Sequence, residues 1–214
     1  MSSRLPVSSQ QGLHPRLERT VLRHCRSSWQ QPIRQHSRQA FDQVASLAEH
    51  APALVLDAGC GVAESTAHLA RQHPDALVIG IDKSSHRLAR ARDLPDNACL
   101  VRAELGDFWR LARQAGWRLR EHALYYPNPW PKATHLLRRW HGHPVFPAML
   151  ALGGRLELRS NFEVYALEFA RAVELTLSMR PEVVSFQAVD PISPFERKYA
   201  LSGHPLYRVI VNLD

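Results

Sequence analysis

Cysteine is scarce in this chain. Cys25, Cys60 and Cys99 are the only three, they stand far apart, and they form no CxxC pair. That argues against a disulfide framework or a structural zinc site, and it fits a reducing cytosol, so a cytoplasmic location is expected. Long apolar runs are missing too. None approaches the roughly 18–20 residues of a membrane span, and the opening MSSRLPVSSQQ lacks the apolar core of a secretory signal. His141 and His143 stand close together among twelve histidines, but nothing like HExxH accompanies them. Neither a membrane nor a metal is expected as a partner.

What is present is bulk and positive charge. The 214 residues suffice for one domain with a full core, and 45% of them are hydrophobic, as in a globular chain. Arginine far outnumbers lysine, and the formal net charge is +7. An excess of this size favours a polyanionic partner, because basic groups that meet phosphates release condensed counterions.

Residues 1–40 read as a basic N-terminal arm with a short helix over 17–24. On such a helix Arg16, Arg19, Arg23 and Arg26 suit either a phosphate backbone or a solvated face. Residues 41–214 read as the folded domain. Strands are expected over 53–56, 76–81, 99–101, 122–126, 155–158, 183–186 and 207–211. Helices are expected over 63–72, from Ser84 or Ser85 to 92, and over 106–115, 134–140, 146–151 and 162–178. The alternation predicts an α/β fold: a Rossmann-like, doubly wound, mostly parallel sheet. With no helix expected between the last two strands, the sheet should end antiparallel.

The first strand runs into Asp57-Ala58-Gly59-Cys60-Gly61, which opens a helix, and Asp82 ends the second strand. Glycines there let the backbone turn tightly and approach a ligand. A carboxylate at Asp82 suits the two hydroxyls of a ribose. The nicotinamide fingerprint wants a third glycine where Glu64 stands. Asp57 would repel a pyrophosphate but attract the cationic methionine end of S-adenosylmethionine, which is therefore the expected cofactor. Glu104 follows the third strand and is a further candidate for the cofactor, with Asp107 its rival; either also suits the first turn of a helix.

The most informative stretch is Tyr125-Tyr126-Pro127-Asn128-Pro129-Trp130-Pro131-Lys132, after the fourth strand. Two prolines stiffen the backbone around Asn128. Trp130 offers a flat face for a base, and Lys132, Arg138 and Arg139 offer cations for phosphates. Here the chain resembles the tRNA (guanine-N7)-methyltransferases, which carry P-D-P-W-x-K at this place. Leu56-Asp57-Ala58-Gly59-Cys60-Gly61 and Ile79-Gly80-Ile81-Asp82 resemble that family's first two motifs. Arg159-Ser160-Asn161-Phe162-Glu163-Val164-Tyr165 resembles its T-D-x-x-x-Y segment, and Ser193-Pro194-Phe195-Glu196 its T-x-F-E segment. The resemblance covers roughly residues 50–212.

The resemblance implies S-adenosylmethionine as cofactor and tRNA as substrate, with 7-methylguanosine formed in the variable loop. It also implies that Asp57, Gly59, Gly61, Asp82 and Glu104 hold the cofactor with Asn128 beside it as the catalytic position. Lys132, Asn161, Ser193 and Glu196 would then hold the guanine or its nucleotide. The chain departs from the family at Asn128 and Asn161, where the family has Asp, and at Ser193, where it has Thr. Guanine N7 carries a lone pair and no proton, so its methylation needs alignment and stabilisation of a developing cation. An amide keeps an acceptor but loses the charge, and Glu196 is expected to supply the missing field if it lies in the pocket. Two alternatives stand. Asn128-Pro129-Trp130 also resembles the N-P-P-[YFW] motif of methyltransferases acting on exocyclic amines. The two Asn residues also fit a non-catalytic RNA-binding relative.

Overall fold

The computed structural model describes residues 4–8 and 10–213. Its seven strands lie in the order β3-β2-β1-β4-β5-β7-β6. Strands β1 (Leu54–Ala58), β2 (Leu77–Asp82), β3 (Ala98–Arg102) and β4 (Glu121–Tyr125) pair in parallel, with Leu56 beside Ile79 and beside His122. Strands β6 (Val183–Phe186) and β7 (Leu206–Leu213) pair antiparallel, Val184 beside Arg208. This is the expected mostly parallel sheet with an antiparallel end. The expected reason for that end is corrected, however: helix α8 (Pro194–Leu201) lies between β6 and β7 in the chain.

The chain divides into two compact units. One comprises Gln31–Tyr125, Ala151–Leu156 and the chain from Asn212 onward. Its strands read as nearly continuous apolar runs, as strands covered on both faces must; Val55, Leu56, Ile79 and Ile81 are fully buried. Helix α3 (Glu64–Gln72) follows β1, and α5 (Leu105–Gln114) follows β3. Helix α2 (Gln35–Ala48) packs Phe41 against Phe108 and Trp117, at 5.2 and 4.9 Å between ring centres. The expected boundary at residue 40 falls inside α2. Helix α4 is only Ser85–Leu88: the Ser84 hydroxyl caps it as expected, but none of its residues is buried, so nothing carries it on to residue 92.

The other unit comprises the N-terminal residues to Gln30, Tyr126–Leu150 and Glu157–Val211. Helix α1 (Leu17–Cys25) lies against α7 (Glu163–Leu177), burying Leu17, Thr20, Val21 and His24. Arg19 and Arg23 on it, and Arg16 and Arg26 at its two ends, are exposed. The helix expected over 134–140 is two 3-10 segments, Ala133–Arg138 and Trp140–Gly142, before α6 (Phe146–Leu150). The break falls at Arg139, whose side chain turns inward and is fully buried. Strand β5 (Gly154–Ser160) begins in one unit and ends in the other.

Candidate active site

The strand order reverses between β1 and β4, and in open α/β sheets ligands bind beyond the carboxyl ends of strands at such a point. The loop after β1 is built for close approach. Gly59 (φ 86°), Gly61 (φ 61°) and Ala63 (φ 65°) alternate in the left-handed region, which glycine enters without penalty. The N–H groups of Gly59 and Cys60 both donate to the Ile81 carbonyl, at 2.8 and 3.0 Å. A Cβ added at Gly61 would meet nothing within 4 Å. The loop therefore leaves open space against bare backbone, which suits a ligand laid directly on it.

Asp57 ends β1 almost fully buried, and its Oδ2 accepts from the hydroxyls of Ser65 and Thr66, both at 2.7 Å. Gly80 makes room for this: a Cβ there would sit 2.5 Å from Thr66 Oγ1 and 2.8 Å from Leu100 Cδ2. Burial pushes the Asp57 carboxyl up to about 6, against the pull of the two hydroxyls and with added repulsion from Asp82. Asp82 accepts from the Gly61 N–H at 3.1 Å and the Ser84 N–H at 2.8 Å, and it pairs with Arg87 at 3.2 Å. A carboxylate offers about four lone-pair sites, so room remains for a sugar hydroxyl. Two neighbouring acidic groups and an open glycine turn fit a ligand with a cationic end and a ribose.

Glu104 and Asp107 differ in burial and in partners. Asp107 is buried with its Oδ2 engaged by the Arg34 N–H at 3.2 Å and by the Arg34 guanidinium at 3.5 Å. Glu104 stands half-exposed at the start of α5 and makes no side-chain cap there. Cys60 is buried, and burial together with repulsion from Asp57 and Asp82 pushes its thiol pKa up.

In the other unit, the Tyr126–Lys132 loop is strained at both ends. Tyr126 (φ 50°) and Trp130 (φ 43°) sit in the left-handed region, which costs a bulky residue on the order of 1–3 kcal/mol. Tyr126 is held by its N–H donating to the Arg159 carbonyl at 2.8 Å and by its hydroxyl donating to Glu196 Oε2 at 2.9 Å. Between them Asn128 is exposed, and its Oδ1 accepts from the Trp130 N–H at 3.2 Å. The Arg138 guanidinium lies 4.7 Å above the Trp130 ring, so one face of that ring is already covered. Lys132 and Arg138 are exposed, as phosphate partners must be. Arg139 is not: it is buried and ion-paired with Glu168, so it is no phosphate ligand.

The other expected acceptor residues are also placed. Glu196 is buried, and Arg159 reaches both of its oxygens, at 3.0 and 3.1 Å. The carboxylate of Glu196 is thus shared with a guanidinium. Arg159 also donates to buried Glu157 at 2.6 Å. One guanidinium thus bridges two buried carboxylates. Ser193 caps α8, its Oγ accepting from the Glu196 N–H at 3.2 Å. Asn161 is buried with an amide N–H at 3.1 Å from Nδ1 of His204, which stacks on Tyr199.

Sequence reading missed Glu157, Arg159 and Tyr126 as a charge cluster, and Ser65 and Thr66 as partners of Asp57. A signal for Glu157 existed: it stands between Leu156 and Leu158, both fully buried.

Comparison with known proteins adds a family. A family model described as putative methyltransferase matches residues 51–209. A tRNA (guanine-N(7)-)-methyltransferase of Nitrosomonas europaea is 29% identical over 175 residues, 73% of this chain and 74% of that one. A protein of the same name from Mycolicibacterium gilvum is 27% identical, covering 92% of this chain and 88% of its own. Among solved structures, an antibiotic-related methyltransferase superposes with a TM-score of 0.61 at 12% identity, over 80% of this chain and 94% of its own. That likeness shows the shared fold.

Proposed function

Because the chain belongs to the family described as putative methyltransferase, we propose that it transfers the methyl group of S-adenosylmethionine to N7 of a guanosine in tRNA. The observation that carries the reading is the Tyr126–Lys132 loop, which directly follows β4 and presents Asn128 beside a tryptophan and exposed cations. It is supported by the relatives, which are named as tRNA (guanine-N(7)-)-methyltransferases and align over most of their own length.

Each group has a role on this reading. Asp57 faces the cationic methionine end, Asp82 the ribose, and Glu104 the remaining cofactor edge, while Gly59 and Gly61 let the cofactor lie on the backbone. Bound S-adenosylmethionine supplies a methyl carbon activated by a sulfonium sulfur. The N7 lone pair needs no base, so this chain's task is to orient the purine and balance its developing positive charge. Asn128 has its oxygen engaged by Trp130 and presents N–H donors. Those suit O6 of guanine, an acceptor beside N7. They do not suit an exocyclic amine, itself a donor, and this weighs against the amine reading. Glu196, which accepts from the Tyr126 hydroxyl at the start of this loop, is the carboxylate this reading sets against the developing charge. Lys132 and Arg138 hold phosphates, and Asn161 and Ser193 act at the nucleotide, Ser193 by fixing the start of α8. The reaction belongs in the cytoplasm, where tRNA is the polyanion that matches a net charge of +7.

The test is transfer of labelled methyl to bulk tRNA, followed by nucleoside mapping. The expected product is 7-methylguanosine. Methyl on another base overturns the acceptor, and tRNA binding without transfer overturns the enzyme.

A further inference from the structure

The Tyr126–Lys132 loop poses a hydrogen-bonding problem that its own sequence cannot solve. Pro127, Pro129 and Pro131 have no N–H, so the loop has few donors to brace its carbonyls from within, and it holds a strained Trp130. The braces come from Arg139. Its Nε and Nη2 donate to the Trp130 carbonyl at 3.2 and 3.1 Å, and Nη2 also lies 3.5 Å from the carbonyls of Pro131 and Lys132. Its remaining arm is ion-paired with Glu168 Oε2, and both side chains are fully buried.

Glu168, on α7, is a hub. His141 Nε2 lies 2.8 Å from its Oε2. Burial holds His141 neutral by lowering its pKa, so with Nε2–H donating, the unpartnered buried Nδ1 is the bare lone pair. Oε1 accepts from the His14 N–H at 2.8 Å and from Gln10 Nε2 at 2.6 Å. Gln10 Oε1 in turn accepts from Arg139 at 3.2 Å, and the Ser8 hydroxyl donates to the Pro131 carbonyl at 2.6 Å. Three parts of the chain distant in sequence therefore converge: Ser8, Gln10 and His14, the proline loop, and α7. A buried ion pair is weak evidence for stability, since an apolar replacement is often as good. One whose guanidinium is shared among the carbonyls of a strained loop has a different use: it sets where that loop stands.

We propose that Arg139 and Glu168, completed by Ser8 and Gln10 of the N-terminal segment, are positioning residues for methyl transfer that fix the backbone carrying Asn128 and Lys132. The proposal rests on the acceptor-loop reading above. Residues 8–14 are then part of the acceptor machinery rather than a free arm. None of the four touches the substrate; they act through the carbonyls of residues 130–132.

Two measurements test this on the full-length protein. The first is amide exchange of residues 128–138, which needs no activity. Arg139→Lys replaces a rigid fork by a point charge that cannot brace Trp130 and hold Glu168 together, and Ser8→Ala with Gln10→Ala alters only half-exposed side chains. Both variants should accelerate exchange in the loop by at least tenfold while the amides of β1 and β2 stay as in wild type. Unchanged loop exchange in both overturns the proposal. The second is steady-state transfer to tRNA. Both variants should lose at least fivefold in kcat with KM for S-adenosylmethionine within twofold of wild type, and the double alanine variant should keep its melting temperature. A loss confined to KM for tRNA overturns the proposal, because residues 8–14 would then bind RNA directly. If wild type transfers nothing yet loop exchange responds, the anchor stands and the acceptor reading falls.

Discussion

On the proposed function, Asn128 is the residue on which the chemistry turns. Its Oδ1 already accepts from the Trp130 N–H, a bond that a carboxylate makes at least as well, so Asn128→Asp should fold as wild type. The new charge faces the purine cation as it develops. One such interaction is worth about 2.7–4 kcal/mol in a transition state at most, and the variant gives up the amide N–H that suits guanine O6, a bond worth about 0.5–1.5 kcal/mol. A gain of about tenfold in kcat on tRNA is expected, with cofactor affinity unchanged. Loss of an existing activity would instead mean that the amide N–H to the acceptor base outweighs the added charge. Asp57 gives a second prediction. Its carboxyl ionises at about 6 because of burial, and a cationic ligand prefers the ionised form. Affinity for S-adenosylmethionine should therefore weaken as pH falls through about 6, with proton release on binding at that pH; a flat profile between pH 5 and 8 by calorimetry would separate Asp57 from the methionine end. The placement of Asp57, Gly59, Gly61 and Asp82 at the ends of β1 and β2 was legible in the sequence because the strand, the glycine turn and the chain spacing are local features. Arg159 and Arg139 were not, since nothing local says that a particular arginine turns inward to a carboxylate 37 or 29 residues away.

Helix α8 shows how an element can hide inside a motif. Ser193-Pro194-Phe195-Glu196 is a helix-start signature: a capping serine, proline at the first position and glutamate at the third. Read only as a substrate motif, it concealed the helix it begins. Replacing the cap by alanine typically costs about 1 kcal/mol, and here it also loosens Glu196, whose N–H the Ser193 hydroxyl receives. Ser193→Ala should thus lower the melting temperature by a few degrees and kcat with it, whereas Ser193→Thr should keep both; equal behaviour of the two variants would deny the cap. Helix α2 hid for the opposite reason. It starts at Arg34 without a side-chain cap and with no acidic residue in its first turn, so only the spacing of Phe41, Val44 and Ala48 marked it. The parallel strands were plain because their apolar runs are unbroken and end in turn-forming residues. The 3-10 segments at Ala133–Arg138 and Trp140–Gly142 were not, since their shape follows from Arg139 being drawn into the core.

Acid and salt act on the whole molecule. His122 lies fully buried in β4 with Nε2 accepting from the Trp109 indole at 3.1 Å, and burial lowers its pKa to about 3; burial also lowers His143 to about 4. Groups with depressed pKa contribute stability above their unfolded value, near 6.5, and lose it as pH falls below it. The melting temperature should therefore decline from about pH 6.5 toward 4, before most carboxylates titrate, and His122→Asn should blunt the decline. Salt reports the other global property, the charge of +7. If tRNA lies on exposed cations, the logarithm of its affinity falls linearly with that of salt, by about 0.7–1 for each phosphate neutralised. Position in the sequence makes Arg138 and Arg139 look equivalent, but the fold separates them: Arg138 is exposed over Trp130, while Arg139 is buried against Glu168. Arg138→Ala should flatten the salt slope by about one phosphate's worth. Arg139→Lys should leave the slope unchanged while lowering kcat, because its charge never met the RNA. Equal flattening by both variants would put Arg139 at the phosphates and undo the assignment of its guanidinium to the loop.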